Sequence, residues 1–338
     1  MRKLLLLLCW SSLIFADFDK VATTNAQFLK FGVGPRAMGM GGGFVALAND
    51  GTATYWNPAG LTSLKTMTST LSHNTWVLDI KHDFLSLVLP TRENEWIGLS
   101  ASSLTMGEQL VRTELDPDPE PDGLTYGVSD MAIGVSYARL ITDRLSFGIT
   151  GKFIHLTAYN EKASAMAIDI GSILRTDFYG LKIGMALSNF GNDLKYEGRD
   201  LIVKADIDDD LEGNYLNDAD LQTEPWPLPL MFRIGVAMDL IGVGDAVLQS
   251  DVSRMTFTLD ADHPNDGPEH LNFGVEYGFR ELIFLRGGYR HNYDLETFSM
   301  GVGIKIPLSG SNRIKLDYAV KPMDVFGNTS ILSIEYSR

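Results

Sequence analysis

Cysteine is almost missing from this chain: of 338 residues only Cys9 carries a thiol. A disulfide framework and a thiolate-held metal are therefore excluded. The six histidines (His73, His82, His155, His263, His270 and His291) are scattered, without the spacing of a metalloprotease. Basic residues are scarce beside acids, 28 Lys and Arg against 43 Asp and Glu, for a net charge of −15. Such a surface does not attract nucleic acid or an anionic membrane face. Past the N-terminal leader, no apolar run reaches the roughly 20 residues that a membrane-spanning helix needs. There is no Walker A sequence, and GVGPRA at 32–37, which loosely fits a dinucleotide fingerprint, follows no buried strand. Nothing marks a serine and a histidine as a hydrolytic pair. The residues thus imply neither an enzyme nor a cofactor.

What is present begins with a leader. Arg2 and Lys3 precede an apolar run that starts at residues 4–8, and Ala16 is a small residue at a cleavage position. Residues 1–16 therefore read as a secretory signal peptide. Leu8 is too bulky for a lipidation site at Cys9. The mature chain is expected to be exported and free of cysteine.

From residue 67 onward the pattern has period two. Leu271, Phe273, Val275, Tyr277 and Phe279 alternate with Asn272, Gly274, Glu276 and Gly278, and residues 232–240 and 298–306 behave alike. One face is apolar; the other mixes glycine, small residues and charge. Such alternation fits a soluble sandwich with an apolar interior or a membrane barrel with an apolar exterior. The connections separate the two. Strands fall near 67–76, 80–90, 95–104, 130–140, 145–157, 164–175, 180–190, 229–240, 245–258, 270–280, 282–291, 296–307, 312–320 and 329–337. Tight turns such as 91–94, 141–144 and 241–244 alternate with longer loops at 105–129, 191–228 and 259–269. One short-turn rim and one long-loop rim is the outer-membrane arrangement. Trp76, Trp96, Trp226, Tyr137, Tyr289 and Tyr318 fall near strand ends, where an aromatic girdle lies. The expectation is an all-β chain. Residues 67–338 would form an antiparallel transmembrane β-barrel of about fourteen strands, set among the lipids of the bacterial outer membrane. Leu282, Ile283, Phe284 and Leu285 run in succession and leave the facing of their strand open.

Residues 17–66 break this pattern. Within 28–64 (FLKFGVGPRAMGMGGGFVALANDGTATYWNPAGLTSL), Gly39, Gly41, Gly42 and Gly43 permit tight turns and close backbone approach. Asn57 before Pro58 predicts a helix cap and first helical position, and Pro35 opens a second short helix. Lacking strand alternation and preceding the barrel, the segment is expected to sit in the lumen as a hatch. Phe28, Phe31, Phe44, Val45, Tyr55 and Trp56 argue against a free tail.

This stretch resembles the N-terminal signature of the PorV/PorQ family of outer-membrane barrels. Its Asn57-Pro58-Ala59-Gly60 element is similar to one in FadL-type fatty-acid channels. The resemblance implies two kinds of work. PorV-like relatives are type IX secretion components that hold exported proteins at the outer membrane, which makes protein export or surface delivery the first expectation. FadL-like relatives are channels for hydrophobic molecules such as long-chain fatty acids, plugged by a hatch. The partner is accordingly an exported protein or a hydrophobic small molecule, with no nucleic acid. Under either reading Gly39, Gly41, Gly42, Gly43, Asn57, Pro58, Ala59 and Gly60 belong to the hatch motif.

The acidic stretch 206–213 approaches calcium-loop spacing from Asp208, but Glu212 and Ala219 break the pattern. It reads as a solvated outer loop, as does the stiff, proline-interrupted stretch 116–123. Arg233, Lys305, Lys315, Asp169, Asp239 and Glu276 fall on the expected lumenal face and read as charge pairing across the lumen.

Overall fold

The computed structural model describes residues 20–120, 122–205 and 217–338. The leader with Cys9 and the acidic stretch 206–213 lie outside the described residues. Fourteen long antiparallel strands form a ring. They are β1 Thr68–Thr75, β2 Lys81–Arg92, β3 Glu95–Thr105, β4 Val128–Leu140, β5 Leu145–Ala158, β6 Glu161–Arg175 and β7 Lys182–Gly191. The second half comprises β8 Met231–Gly242, β9 Ser253–Pro264, β10 His270–Phe279, β11 Ile283–His291, β12 Phe298–Pro307, β13 Arg313–Pro322 and β14 Asn328–Ser337. Each pairs with its neighbour in sequence, and β14 returns to β1 in a register running from Thr68↔Ser337 to Thr75↔Ser330. Closure matters because backbone groups at bilayer depth have no water to bind.

Residue parity decides facing. On β10, Asn272 and Glu276 point inward and are fully buried, whereas Leu271 and Phe279 point outward. Outward Val302, Leu332 and Ile334 are each about half exposed, forming the apolar band that meets lipid. The ambiguous run on β11 resolves the same way. Ile283 and Leu285 face out, while Phe284 faces in at 3% exposure. Its ring lies near the cationic groups of Arg254, Arg286 and Lys315, at 5.9, 5.5 and 5.5 Å, so the lumen offers Phe284 cation–π partners that lipid cannot.

Three sequence expectations need correction. The strand placed near 245–258 starts only at Ser253 and continues to Pro264, so the loop placed at 259–269 shrinks to 265–269. Asp260 and Asp262 look like loop residues but alternate with Leu259 and Ala261 and face a protein-filled lumen. The turn placed at 241–244 lengthens to 243–252, after a bulge between Asp239 and Ile241. Trp76 and Trp96 are not girdle residues. Trp76 stacks on Phe31 at 4.8 Å, and the Trp96 indole N–H donates to the Leu64 carbonyl at 2.6 Å. A buried indole N–H needs an acceptor, and the N-terminal segment supplies it. Tyr137, Tyr289 and Tyr318 do face outward.

Residues 24–66 run inside this ring. Their short elements are a 3-10 turn Gln27–Lys30, α1 Pro35–Gly39, α2 Ala53–Trp56 and a second 3-10 turn Pro58–Ser63. The segment starts beside the long-loop rim, descends across the lumen and leaves at the short-turn rim to enter β1.

The facing rule gives a direct test. Val302→Arg, outward near the middle of β12, should weaken folding into lipid vesicles by about 2–4 kcal/mol. Urea titration read by heat-modifiable gel migration measures this. A change within about 0.5 kcal/mol, as at a water-exposed surface, would contradict a lipid-facing band.

Candidate functional site: the filled lumen

The segment touches the barrel wall through glycine. Gly148, Gly171, Gly184, Gly274, Gly288 and Gly301, on the lumenal faces of β5, β6, β7, β10, β11 and β12, meet atoms of the segment directly. A Cβ at Gly184 would lie 2.5 Å from the Ala46 Cα, and one at Gly274 would lie 2.6 Å from the Met40 carbonyl oxygen. At Gly148 a side chain would overlap Pro58, at Gly171 the Asn57 carboxamide, and at Gly288 the Gly41 amide. Gly39 faces Gly301, so backbone rests on backbone. Gly41 and Gly42 adopt φ of 68° and 83°, turning the chain where a side chain would be strained. Gly43 packs between Thr258 and Asn272, and Gly60 lies so close to the Ala48 carbonyl that no Cβ fits.

Asn57 joins the segment to the wall. Its Oδ1 accepts from the Ala59 amide at 3.1 Å and caps the Pro58–Ser63 turn. Its Nδ2 donates to the carbonyls of Val45 at 2.8 Å and Ser172 at 3.1 Å. Pro58 and Ala59 are buried against β5. Seven of the eight motif residues therefore lie on two patches of wall. The four glycines at 39–43 lie against β9–β12, and residues 57–59 lie against β5 and β6. Gly60 packs within the segment itself.

Further side chains complete the attachment; of these, sequence reasoning placed Glu276 on the lumenal face and missed Arg36, Asp260, Arg286 and Glu335. Both the Phe44 and Val45 amides donate to Asp260 Oδ2, at 2.6 and 2.7 Å. Glu335 accepts from the Gly51 amide at 3.1 Å. Arg36 forms a bidentate pair with Glu276, Nε–Oε2 2.8 Å and Nη2–Oε1 2.9 Å. Glu276 also accepts from Arg286 at 2.7 Å and from Arg254 at 2.8 Å, and Arg286 continues to Asp317 at 2.7 Å. One carboxylate thus holds three guanidinium groups, and only Arg36 comes from the segment. Arg36 and Glu276 are 240 positions apart in sequence, so spacing carries no trace of the pair. The recurrence of glycine on lumenal faces and the lumenal parity of Glu276 were the legible signals.

Of the charges expected on the lumenal face, Glu276 and Lys315 lie in or beside this network, since Lys315 reaches Asp317 at 3.3 Å. Arg233 lies over the rings of Tyr55 and Trp56, at 5.7 and 5.3 Å, with Asp262 at 3.8 Å. Asp169 pairs with Lys152 at 2.8 Å. Lys305 and Asp239 line the short-turn mouth. Among the described residues two Ser–His contacts occur, His82–Ser102 and His155–Ser164, both at 2.8 Å. Neither histidine bonds a carboxylate through its other nitrogen among the described residues, so neither has the third member of a hydrolytic triad. A cavity of about 30 Å³, lined in part by Tyr55, Ser100, Lys152 and Asp169, remains beside the segment. It is large enough for a water molecule or two.

At the long-loop rim, Asp266 accepts from Thr24, from Gln27 at 2.7 Å and from Lys30 at 2.9 Å. Burial would raise this carboxyl, but the three donors prevail and hold it below its ordinary 3.8. A carboxyl depressed in the fold contributes stability that is complete above its unfolded value and is lost as pH falls through the folded one. The latch should therefore hold at neutral pH and open only below pH 3.8. A spin label at Val21→Cys should become mobile over that acid range and stay unchanged near neutrality. Release near neutrality would rule out the Asp266 latch. For the central network, Glu276→Gln strands buried guanidinium charge, a change worth about 3–5 kcal/mol. Maleimide labelling of Ala37→Cys, buried in the intact protein, should accelerate at least about tenfold in that background. An unchanged rate would mean that the pairing does not hold the segment in place.

Residues 15–204, more than half of the chain, match the family described as Type IX secretion system protein PorV. No curated protein matches the sequence. Among solved structures, the Pseudomonas putida toluene transporter TodX aligns over 91% of this chain and 98% of its own, with 12% identity and a TM-score of 0.58. The Ralstonia pickettii toluene transporter TbuX covers the same shares at 14% identity and a TM-score of 0.54. A Pseudomonas aeruginosa FadL homologue aligns over 90% of this chain and 96% of its own, at 12% identity and 0.53. At these identities the likeness is one of fold. The chain belongs to the PorV family of type IX secretion system proteins, and its outer-membrane barrel has the FadL-like fold.

Proposed function

We propose that this protein resides in the bacterial outer membrane and assists protein export, delivering or holding exported proteins at the surface. In this reading residues 1–16 are a removed signal peptide, 17–66 a hatch and 67–338 the barrel. The long-loop rim faces outward, and the rim bearing both ends of the barrel faces the periplasm. The observation that carries the reading is the filled lumen. The segment is fastened by Glu276, Asp260 and a belt of glycines, and the cavity beside it is small and includes Lys152 and Asp169 in its wall. A conduit for hydrophobic molecules needs a larger apolar space. Membership of the PorV family supports the same reading.

A second reading, a channel for hydrophobic small molecules, draws support from the fold shared with the toluene transporters TodX and TbuX. It requires the hatch to move. Gentle purification from native outer membranes, followed by mass spectrometry of bound material, separates the two. An exported protein held in stoichiometric amount is the expected result, whereas a bound fatty acid without protein would favour the channel. Deleting residues 39–43 should alter solute passage only if the barrel is a channel.

A further inference from the structure

We propose that the short-turn mouth of the barrel is a docking cup for an acidic peptide segment of another polypeptide. Between the hatch and this rim opens a cleft of about 680 Å³. A second cleft of about 370 Å³ shares Leu47, Asn49, Ser63, Lys65 and Lys182 with it. In a chain of net charge −15, the lining is basic: Lys65 at the end of the hatch, Lys182 on β7, Arg254 on β9, Lys305 on β12, and Arg313 and Lys315 on β13.

The carboxylates in the same cleft already have partners. Asp50 takes Arg36 at 3.3 Å and the Thr52 hydroxyl at 2.5 Å. Glu335 takes the Gly51 amide, Glu281 takes Arg254 at 2.6 Å, and Asp239 takes the Thr256 hydroxyl at 2.5 Å. Lys65, Lys182, Lys305 and Arg313 form no ion pair with any described residue, and neither do Asp239 and Glu335, so the four unpaired cations outnumber the two unpaired carboxylates of the cleft. A concave site of one charge with low-dielectric walls concentrates its field and attracts the opposite charge.

Placement decides the occupant. The cations come from strands spread along half of the ring, from β7 to β13, and from the end of the N-terminal segment, so they line an arc of the mouth instead of converging on one point. That suits an extended polyanion better than a single phosphate. The strand-borne cations share the lumenal parity of their strands, facing away from the surrounding lipid headgroups. The chain's own acidic stretch at 116–123 lies in the connection between β3 and β4, on the opposite rim. The partner must therefore arrive from the compartment that this rim faces, presenting several Asp or Glu side chains for charge-assisted hydrogen bonds. The inference holds whether the barrel serves export or solute passage, because it rests only on the mouth.

The test uses the full mature barrel in a zwitterionic detergent, with fluorescein-labelled hexaglutamate as probe and hexaglutamine as its neutral control. Hexaglutamate should bind, hexaglutamine should not, and added salt should weaken binding. The triple variant Lys65→Gln, Lys182→Gln, Lys305→Gln, checked for folding by heat-modifiable migration, should bind at least about tenfold more weakly. If it does not fold, Lys305→Gln alone should lose about threefold. Arg112→Gln, on the long-loop rim, should leave binding unchanged. Absence of hexaglutamate binding, equal binding of hexaglutamine, or an unaffected Lys variant would overturn the proposal. Displacement by inorganic phosphate at equal charge would also overturn it, in favour of a small-anion site.

Discussion

Irregular backbone held at the depth of a bilayer has no water to satisfy it, so every buried N–H and C=O must find a partner in protein. The rest of this structure depends on that constraint. The amides of Phe44 and Val45 cross the lumen without a helix or strand bond of their own, and Asp260 takes both. Gly51 leans on Glu335, Gly41 on the Ser299 hydroxyl, and the carbonyls of Val33 and Leu64 on the indoles of Trp56 and Trp96. The polar lumenal face that an outer-membrane strand carries by default is here a set of caps for one particular segment.

Close approach makes these caps possible. A carboxylate or carboxamide satisfies a backbone amide only near 3 Å, and the wall reaches that distance because glycine removes the intervening side chains. Gly148 pairs with Gly171 across β5 and β6, Gly184 with Gly235 across β7 and β8, and Gly274 with Gly288 across β10 and β11. Each pair clears a patch two strands wide. Glycine weakens a strand taken alone, so the belt exchanges strand propensity for contact with the segment.

Charge holds the same segment differently. Replacing a buried ion pair by well-packed apolar residues is often neutral or stabilising, whereas removing one partner is severe. The Arg36–Glu276 pair is thus better understood as specifying position than as adding stability: Glu276 accepts Arg36 only where Arg254 and Arg286 already orient it. The barrel itself is shared with the toluene transporters TodX and TbuX at 12–14% identity. A fold hosts many functions through the sites built on it, and in this chain those sites are the segment that fills the lumen and the cations that line its mouth.

Strand number, alternation and the two unequal rims were legible in the sequence because they are local. Side-chain parity has period two, and turn residues cluster between the runs. The family resemblance was legible for the same reason, since residues 28–64 are contiguous. The tertiary structure alone decided which polar residues are lumenal caps and which are loop. Asp260 and Asp262 read as solvent-exposed until the strand carrying them is seen to face a filled lumen. It alone decided that Trp76 and Trp96 turn inward, and it alone joined Arg36 to Glu276 across 240 residues. The physical reason is that closing a sheet into a ring sets the lumenal neighbours of each residue by strand order and stagger, not by distance along the chain.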